Sequence, residues 1–353
     1  MEKQNSTQEE VFHAMADPDF YPHPVSGFEI RETHISKVFL TGDYVYKVKK
    51  KVELGFLDFS TLEKRRHFCR QELLLNRRLS RDIYLDVVPI TRENGGLKLC
   101  GKGEAVEFAV KMRQLSDKLS MLHMIRRREI GHSQLQKLAE LLADFYGKAQ
   151  SGKDIDKWGS WETVKWNCEE NFSQTSKFVG KLLDERKYQI ICGAARSFLK
   201  RHKELFARRT DAGKIRDCHG DLRAGHIYFT DEIQILDCIE FNDRFRYSDI
   251  TADLAFLAMD LDFEGAGDTA REFFKKYVNI SKDREIFVLL DFYKCYRAYV
   301  RCKVNCFRLD CEEIEEFKRE KLIRETQKYL DLAYNYAVRF TRPTIWVACG
   351  QIG

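Results

Sequence analysis

The amino-acid sequence predicts an α+β fold, with a β-rich N-terminal lobe followed by a larger, mostly helical C-terminal lobe. Strand-forming residues crowd into 27–50 and 84–112, and apolar residues recur at helical spacing through most of the chain beyond residue 115. At 353 residues and 44% hydrophobic, the chain can bury a substantial core, and no internal repeat or low-complexity tract interrupts it.

Residues 1–24 read as an N-terminal extension. The segment 27–50 (GFEIRETHISKVFLTGDYVYKVKK) is rich in β-branched and aromatic residues and turns at Thr41-Gly42-Asp43, so it reads as successive antiparallel strands. Ser60 followed three residues later by Glu63 has the capping-box spacing, and neither Gly nor Pro stops a helix before Leu79. Strand character returns at 84–90, turns at Asn94-Gly95-Gly96, and continues at 97–100 and 106–112. Residues 25–115 are therefore expected to form a five-stranded sheet with one helix. Segments 132–147, 188–208, 286–307 and 312–340 carry the helical spacing of a C-terminal lobe over 116–342.

Charge and cysteine content exclude several function classes. Lys and Arg number 60 against 55 Asp and Glu, so a net charge of +5 is spread over a large surface and points to neither nucleic acid nor membrane. No stretch approaches the ~18 uninterrupted apolar residues of a spanning helix, and the first twenty residues lack a signal-peptide pattern, so a cytoplasmic protein is expected. The 11 cysteines are odd in number and irregularly spaced, which reads as free, mostly buried thiols. Cys302, Cys306 and Cys311 come nearest to a metal cluster, but without CxxC pairs or a nearby His they read as structural.

The chemistry concentrates in 218–237 (CHGDLRAGHIYFTDEIQILD). A loop holding His219-Gly220-Asp221 precedes a hairpin whose second strand ends on Asp237, which brings Asp221, His226 and Asp237 to one end. Phosphoryl transfer from ATP needs a carboxylate to orient the acceptor hydroxyl and hard oxygen ligands to hold Mg2+ against the phosphates.

This segment resembles the aminoglycoside phosphotransferase and choline kinase group, whose pattern is HGD, a few residues, Asn, and a strand ending in a metal-binding Asp. His219, Gly220, Asp221 and Asp237 match it, and ILDCIEFNDRFRYSDITADLAF extends the resemblance, which covers most of 25–340. It implies a protein-kinase-like two-lobed fold, ATP and Mg2+ (or Mn2+) as cofactors, a small-molecule substrate, Asp221 with His219 as catalytic residues, Asp237 on the metal, and Asp249 bracing the catalytic loop. The chain departs from the pattern at His226, where the group has an Asn that coordinates a second metal ion. An altered metal site, a His on phosphate, and a degenerate enzyme all remain open there, since imidazole is a poorer partner for Mg2+ than an amide oxygen.

A kinase also needs a strand lysine on the α and β phosphates, paired with a helix glutamate. Lys47 and Lys49 lie two apart and share a sheet face. Lys47 is preferred because Val45-Tyr46-Lys47 matches the group's strand ending; Lys49 is second, and Glu72 in HFCRQELLLNRRL is the expected partner. Thr33-His34-Ile35-Ser36 has no glycine, so a phosphate cradle there would rest on Ser36 and backbone amides, while 107–114 is the strand that would carry the adenine. Asp243, Asp260, Asp262 and Glu264 either recognise an amine or serve as helix-terminal carboxylates. Residues 344–349 read as a strand running into GxxG, the beginning of a Walker A loop. The resemblance is to a bacterial subgroup fused to a P-loop domain, which makes 343–353 the stub of a missing C-terminal P-loop domain. A nucleotide-binding regulatory module for that domain is the alternative to a phosphotransferase. A hydrolase is a third reading, and it would need His219, Asp221, His226 and Asp237 to converge on one transition metal.

Overall fold

Two runs of strand-forming residues flank one helix and zip into a single antiparallel sheet in the computed structural model, which describes residues 2–311 and 314–342. After helix α1 (Glu2–Met15) come β1 (Glu29–Glu32), β2 (Ser36–Leu40), β3 (Tyr44–Lys49), α2 (Leu62–Asn76), β4 (Tyr84–Glu93), β5 (Gly96–Leu99) and β6 (Glu104–Arg113). Their order in the sheet is β1-β2-β3-β6-β4-β5. The sheet thus has six strands rather than five, three on each side of α2 in sequence, with β1, exposed along its length, added as an edge. Gly42 turns β2 into β3 at φ +102, where a Cβ would stand 2.5 Å from the Ser26 carbonyl oxygen.

Alternation along β3 decides which residues meet which layer. Tyr46 and Val48 join Val11 and Met15 of α1, Phe39, Ile90 and Ala109 in one cluster. Val45, one residue out of phase, packs with Cys69 of α2 in another, and Lys47 and Lys49 share its side of the strand. The expected extension 1–24 is therefore built into the core: Val11 and Met15 are fully buried, each worth roughly 1.5–3 kcal/mol. The Gln8 side chain donates to Lys49 O at 3.1 Å and Glu107 Oε2 at 2.7 Å, and accepts from Lys51 N–H at 2.8 Å. Helix α2 starts one residue later than the Ser60 box implies, because Thr61 is the N-cap, accepting from Lys64 N–H at 3.2 Å.

Beyond β6 the chain is mostly helical: α3 (Met121–Arg126), α4 (His132–Lys148), α5 (Lys153–Asp156), α6 (Trp161–Thr175), α7 (Glu185–Arg201), α8 (Lys203–Asp211), α9 (Asp243–Arg246), α10 (Ile250–Phe263), α11 (Gly267–Ser281), α12 (Ile286–Cys311) and α13 (Glu316–Thr341). Short strands interrupt it: β7 (Ile215–Asp217) pairs with β10 (Tyr247–Asp249), and β8 (Ile227–Phe229) with β9 (Ile233–Ile235). The helix expected over 188–208 is two helices, broken at His202. Helix α10 is buried on all sides from Ile250 to Leu261, which its almost uninterrupted apolar sequence requires.

By contact density the chain divides into two compact units. One joins the residues up to Lys137 with His219–Arg246; the other joins Leu138–Cys218 with the chain from Tyr247 onward. No helix among the described residues is long and apolar enough to cross a membrane. The nine described cysteines are free, and all but Cys100 are buried. The P-loop stub expected at 343–353 falls outside the described residues.

Candidate active site

Eight candidate catalytic, phosphate-binding and metal residues, Ser36, Lys47, Lys49, Glu72, His219, Asp221, His226 and Asp237, fall in the unit containing the sheet. β3 directs both lysines at α2, where Glu72 receives each with a different oxygen: Lys47 Nζ lies 2.8 Å from Oε1 and Lys49 Nζ 2.7 Å from Oε2. Beyond Glu72 the lysines diverge. Lys47 Nζ reaches Asp237 Oδ1 at 2.7 Å and keeps 14% of its side chain exposed. Lys49 is fully buried, bonds Glu240 and lies 4.9 Å from the Phe59 ring centre. Burial alone would lower the pKa of Lys47, but Asp237 and Glu72 outweigh it and raise it well above the usual value. Burial likewise opposes the charge on Glu72, yet the two ammonium groups keep its carboxyl below the ordinary value. Glu240 has one lysine, shared with Glu72, and burial pushes it up.

Asp237 ends the β8–β9 hairpin in a left-handed conformation, φ +63, uncommon for a residue with a side chain. Hydrogen bonds hold it there. The Tyr84 hydroxyl accepts from Asp237 N–H at 3.1 Å, Asn76 Oδ1 accepts from Cys238 N–H at 2.9 Å, and Ser80 Oγ donates to Ile235 O at 2.8 Å. α2 and the residues that follow it thus grip the hairpin that presents Asp237. Its carboxylate stays 46% exposed, and Lys47, with His226 and Arg223 behind it, overcomes the desolvation and holds its pKa far below the carboxylate range.

Backbone groups hold His219, and the Arg223 side chain holds Asp221. His219 is fully buried; its Nε2–H donates to Leu236 O at 2.9 Å and Nδ1 accepts from Asp221 N–H at 3.3 Å. Arg223 grips the Asp221 carboxylate with Nε at 2.9 Å and Nη2 at 3.1 Å. His226 Nε2 lies 3.7 Å from Asp237 Oδ2, and Nδ1 lies 3.7 Å from Asp221 Oδ2. Asp221, His226 and Asp237 each offer a ligand atom within 4.8 Å of the others, two hard oxygens and one nitrogen, a donor set that fits a divalent cation. His219 stands outside that set, its ring nitrogens engaged by the backbone.

Burial, followed by the Arg223 charge, lowers the His226 pKa from 6.5 to about 4. A histidine depressed in the fold stabilises it above pH 6.5, and that contribution is lost as the pH falls towards 4. His226→Asn is therefore expected to lose less stability than wild type between pH 6.5 and 4, by on the order of 3 kcal/mol. Denaturant unfolding of both proteins across that window checks it; parallel curves would remove His226 as the source.

Ser36 stands opposite Lys49 in the β2–β3 register, but it is fully buried, and its hydroxyl has no hydrogen-bond partner among the described residues. Asp249 caps α10, accepting from Thr251 N–H at 2.7 Å, and pairs with buried Arg209 at 2.8 Å through both oxygens; Arg209 also bonds Asp283. Two of the four acidic residues are held by neighbouring side chains: Asp262 by Lys294 at 2.6 Å and Tyr336 at 2.5 Å, and Asp243 by Arg246 at 2.6 Å. Glu107 on the expected adenine strand is buried against Arg65 at 2.9 Å. Sequence reasoning missed Glu240, Tyr84 and Arg223. Of these only Arg223, two residues from Asp221 in the same loop, carried a readable signal.

The fold is protein-kinase-like. It aligns with a choline/ethanolamine kinase family protein of Mesorhizobium loti (TM-score 0.53, 11% identity, 94% of this chain and 99% of that one). It also aligns with an aminoglycoside 2'-phosphotransferase-IIIa solved with GDP (TM-score 0.52, 14% identity, 93% and 99%). The resemblance read from the HGD segment is thereby borne out at the level of fold. No family model matches the chain. Uncharacterised proteins of Mycobacterium tuberculosis (strain H37Rv) and Mycobacterium bovis are 37% identical over 290 residues, 81% of this chain. The chain spans 57% of the length of these relatives.

Proposed function

We propose that this protein is a phosphotransferase that moves the γ-phosphoryl group of ATP to a hydroxyl of a small molecule. The observation that carries the reading is the chain of charges Glu72–Lys47–Asp237, anchored on the sheet, α2 and the hairpin, with Asp221 on the adjoining loop. Lys47 holds the α and β phosphates and Glu72 holds Lys47. Lys49 serves the fold beneath it. Asp237 holds Mg2+ or Mn2+, and His226, both of whose ring nitrogens are engaged within its own loop, stands beside it. The cation, when bound, neutralises charge on the phosphates. Asp221 orients the acceptor hydroxyl and takes its proton, while His219 fixes the loop carrying Asp221. A GDP complex of a protein with this fold supports nucleotide use, and the acceptor is a separate matter because one fold hosts many substrates.

A second reading, a nucleotide-binding regulatory module, is favoured by the Arg223 grip on Asp221 and the glycine-free turn at 33–36. A hydrolase built on one transition metal is disfavoured, since His219 lies outside the ligand set.

ATP with Mg2+ is expected to raise the melting temperature by several °C at ~100 times Kd, a gain of about 2.7 kcal/mol. Asp237→Ala should abolish the metal-dependent part. An unchanged shift in the variant would take Asp237 out of the metal site, and no shift in wild type would reject the phosphotransferase. ATP consumption across a library of hydroxyl-bearing metabolites then identifies the acceptor; turnover with none of them favours the regulatory module.

A further inference from the structure

His226 stands where the resembled group carries the Asn that holds a second metal ion, and its hydrogen bonds give it a different task. Nδ1 lies 2.9 Å from the carbonyl oxygen of Asp221, an atom that can only accept, so Nδ1 carries the ring proton. Nε2 is then the lone-pair nitrogen, and Arg223 Nη2 donates to it at 3.0 Å. His226 N–H also donates to Arg223 O at 3.0 Å, so ring and backbone both fasten the residue to its own loop. The same guanidinium bonds both Asp221 oxygens. A permanent positive charge is thus held by Asp221 and His226, beside a ring nitrogen that offers Mg2+ no hard oxygen.

We infer that Arg223 is a built-in cation taking the place of the second metal ion, oriented by His226, so that the site works with a single divalent cation on Asp237. The inference rests on the phosphotransferase reading. In the transfer, the bond between the γ-phosphorus and the acceptor oxygen forms while the bond to the β–γ bridging oxygen breaks. ADP leaves with that electron pair, and the acceptor's proton passes to Asp221. Arg223 forms and breaks no covalent bond. Its charge offsets the negative charge spread over the transferring phosphoryl oxygens, as an arginine supplied in cis can. A second divalent ion would have to sit against this fixed like charge.

The test is the number of Mn2+ ions bound per full chain, titrated by electron paramagnetic resonance in the presence of a non-hydrolysable ATP analogue. One ion is expected in wild type and two in the Arg223→Ala/His226→Asn double variant, where retention of the first ion also reports folding. Two ions in wild type would overturn the inference. One ion in both proteins would overturn it while leaving the phosphotransferase reading intact, and binding of neither Mn2+ nor analogue would overturn both. Should the double variant not fold, Arg223→Gln keeps a polar side chain of comparable reach without the charge. Its preference for ATP over ADP should narrow by about tenfold or more, because a cation on the γ-phosphoryl group distinguishes the two nucleotides; an unchanged preference overturns the inference.

Discussion

Asp221→Asn is expected to keep its affinity for ATP within about twofold while turnover falls by a factor on the order of hundreds or more. The expectation follows from where the carboxylate is held. Asp221 is paired with Arg223 at 2.9 Å, and His226 lies 3.7 Å from Asp221 and 3.7 Å from Asp237, the partner of Lys47. An amide keeps the shape and one acceptor oxygen, so the nucleotide's contacts survive. It cannot take the acceptor's proton, so the chemical step does not. Steady-state kinetics with ATP binding measured on the same preparation separates the two. Loss of ATP binding, with turnover falling only in proportion, would make Asp221 part of the nucleotide or metal site and end its assignment as the orienting base.

The two strand lysines are expected to give opposite phenotypes. Lys49→Met should destabilise the fold by about 3–5 kcal/mol, because removing one partner of a buried pair leaves the other charge uncompensated. Lys49 is fully buried, and it is the lysine that bonds Glu240. Lys47→Met is the milder change for stability, since Lys49 still satisfies Glu72 and Asp237 remains half exposed to water. Its cost should fall on ATP binding and turnover. Urea unfolding and ATP titration of both variants decide the matter. A folded Lys49→Met that has lost ATP binding, beside a Lys47→Met that retains it, would exchange the roles of the two lysines.

The sequence carried those parts of the site that local chemistry specifies. The two-residue spacing of Lys47 and Lys49 required a shared face, Glu72 in mid-helix was a reachable partner, and the hairpin between Asp221 and Asp237 closed the set. Parts set by backbone geometry were hidden. Glu240, three residues after Asp237, reads as an ordinary carboxylate until the left-handed turn at Asp237 is known; in the fold it lies beside Lys49. Tyr84 reads as the first residue of a strand, and its hydroxyl is assigned only once β4 lies beside the hairpin end. Helix α1 was missed for a different reason. Its two fully buried anchors, Val11 and Met15, are sparse among polar neighbours and do not make a stripe. Thr61 took the cap from Ser60 because either hydroxyl suits the position, and only the entry of the chain decides between them.

The sheet-bearing unit is assembled from two stretches separated by Leu138–Cys218, and this discontinuity bears on the order in which the molecule can be made. On the ribosome, β3 and α2 emerge with Lys49 and Glu72 in place, but Glu240 follows Glu72 by 168 residues (240 − 72). At ~5–20 residues per second that interval is roughly 8–34 s, during which the nascent sheet holds a buried lysine short of one of its two carboxylates. Neither unit can finish folding before the other has begun. The chain is thus committed to late, non-local closure, and the half-made sheet is the species that a chaperone would meet.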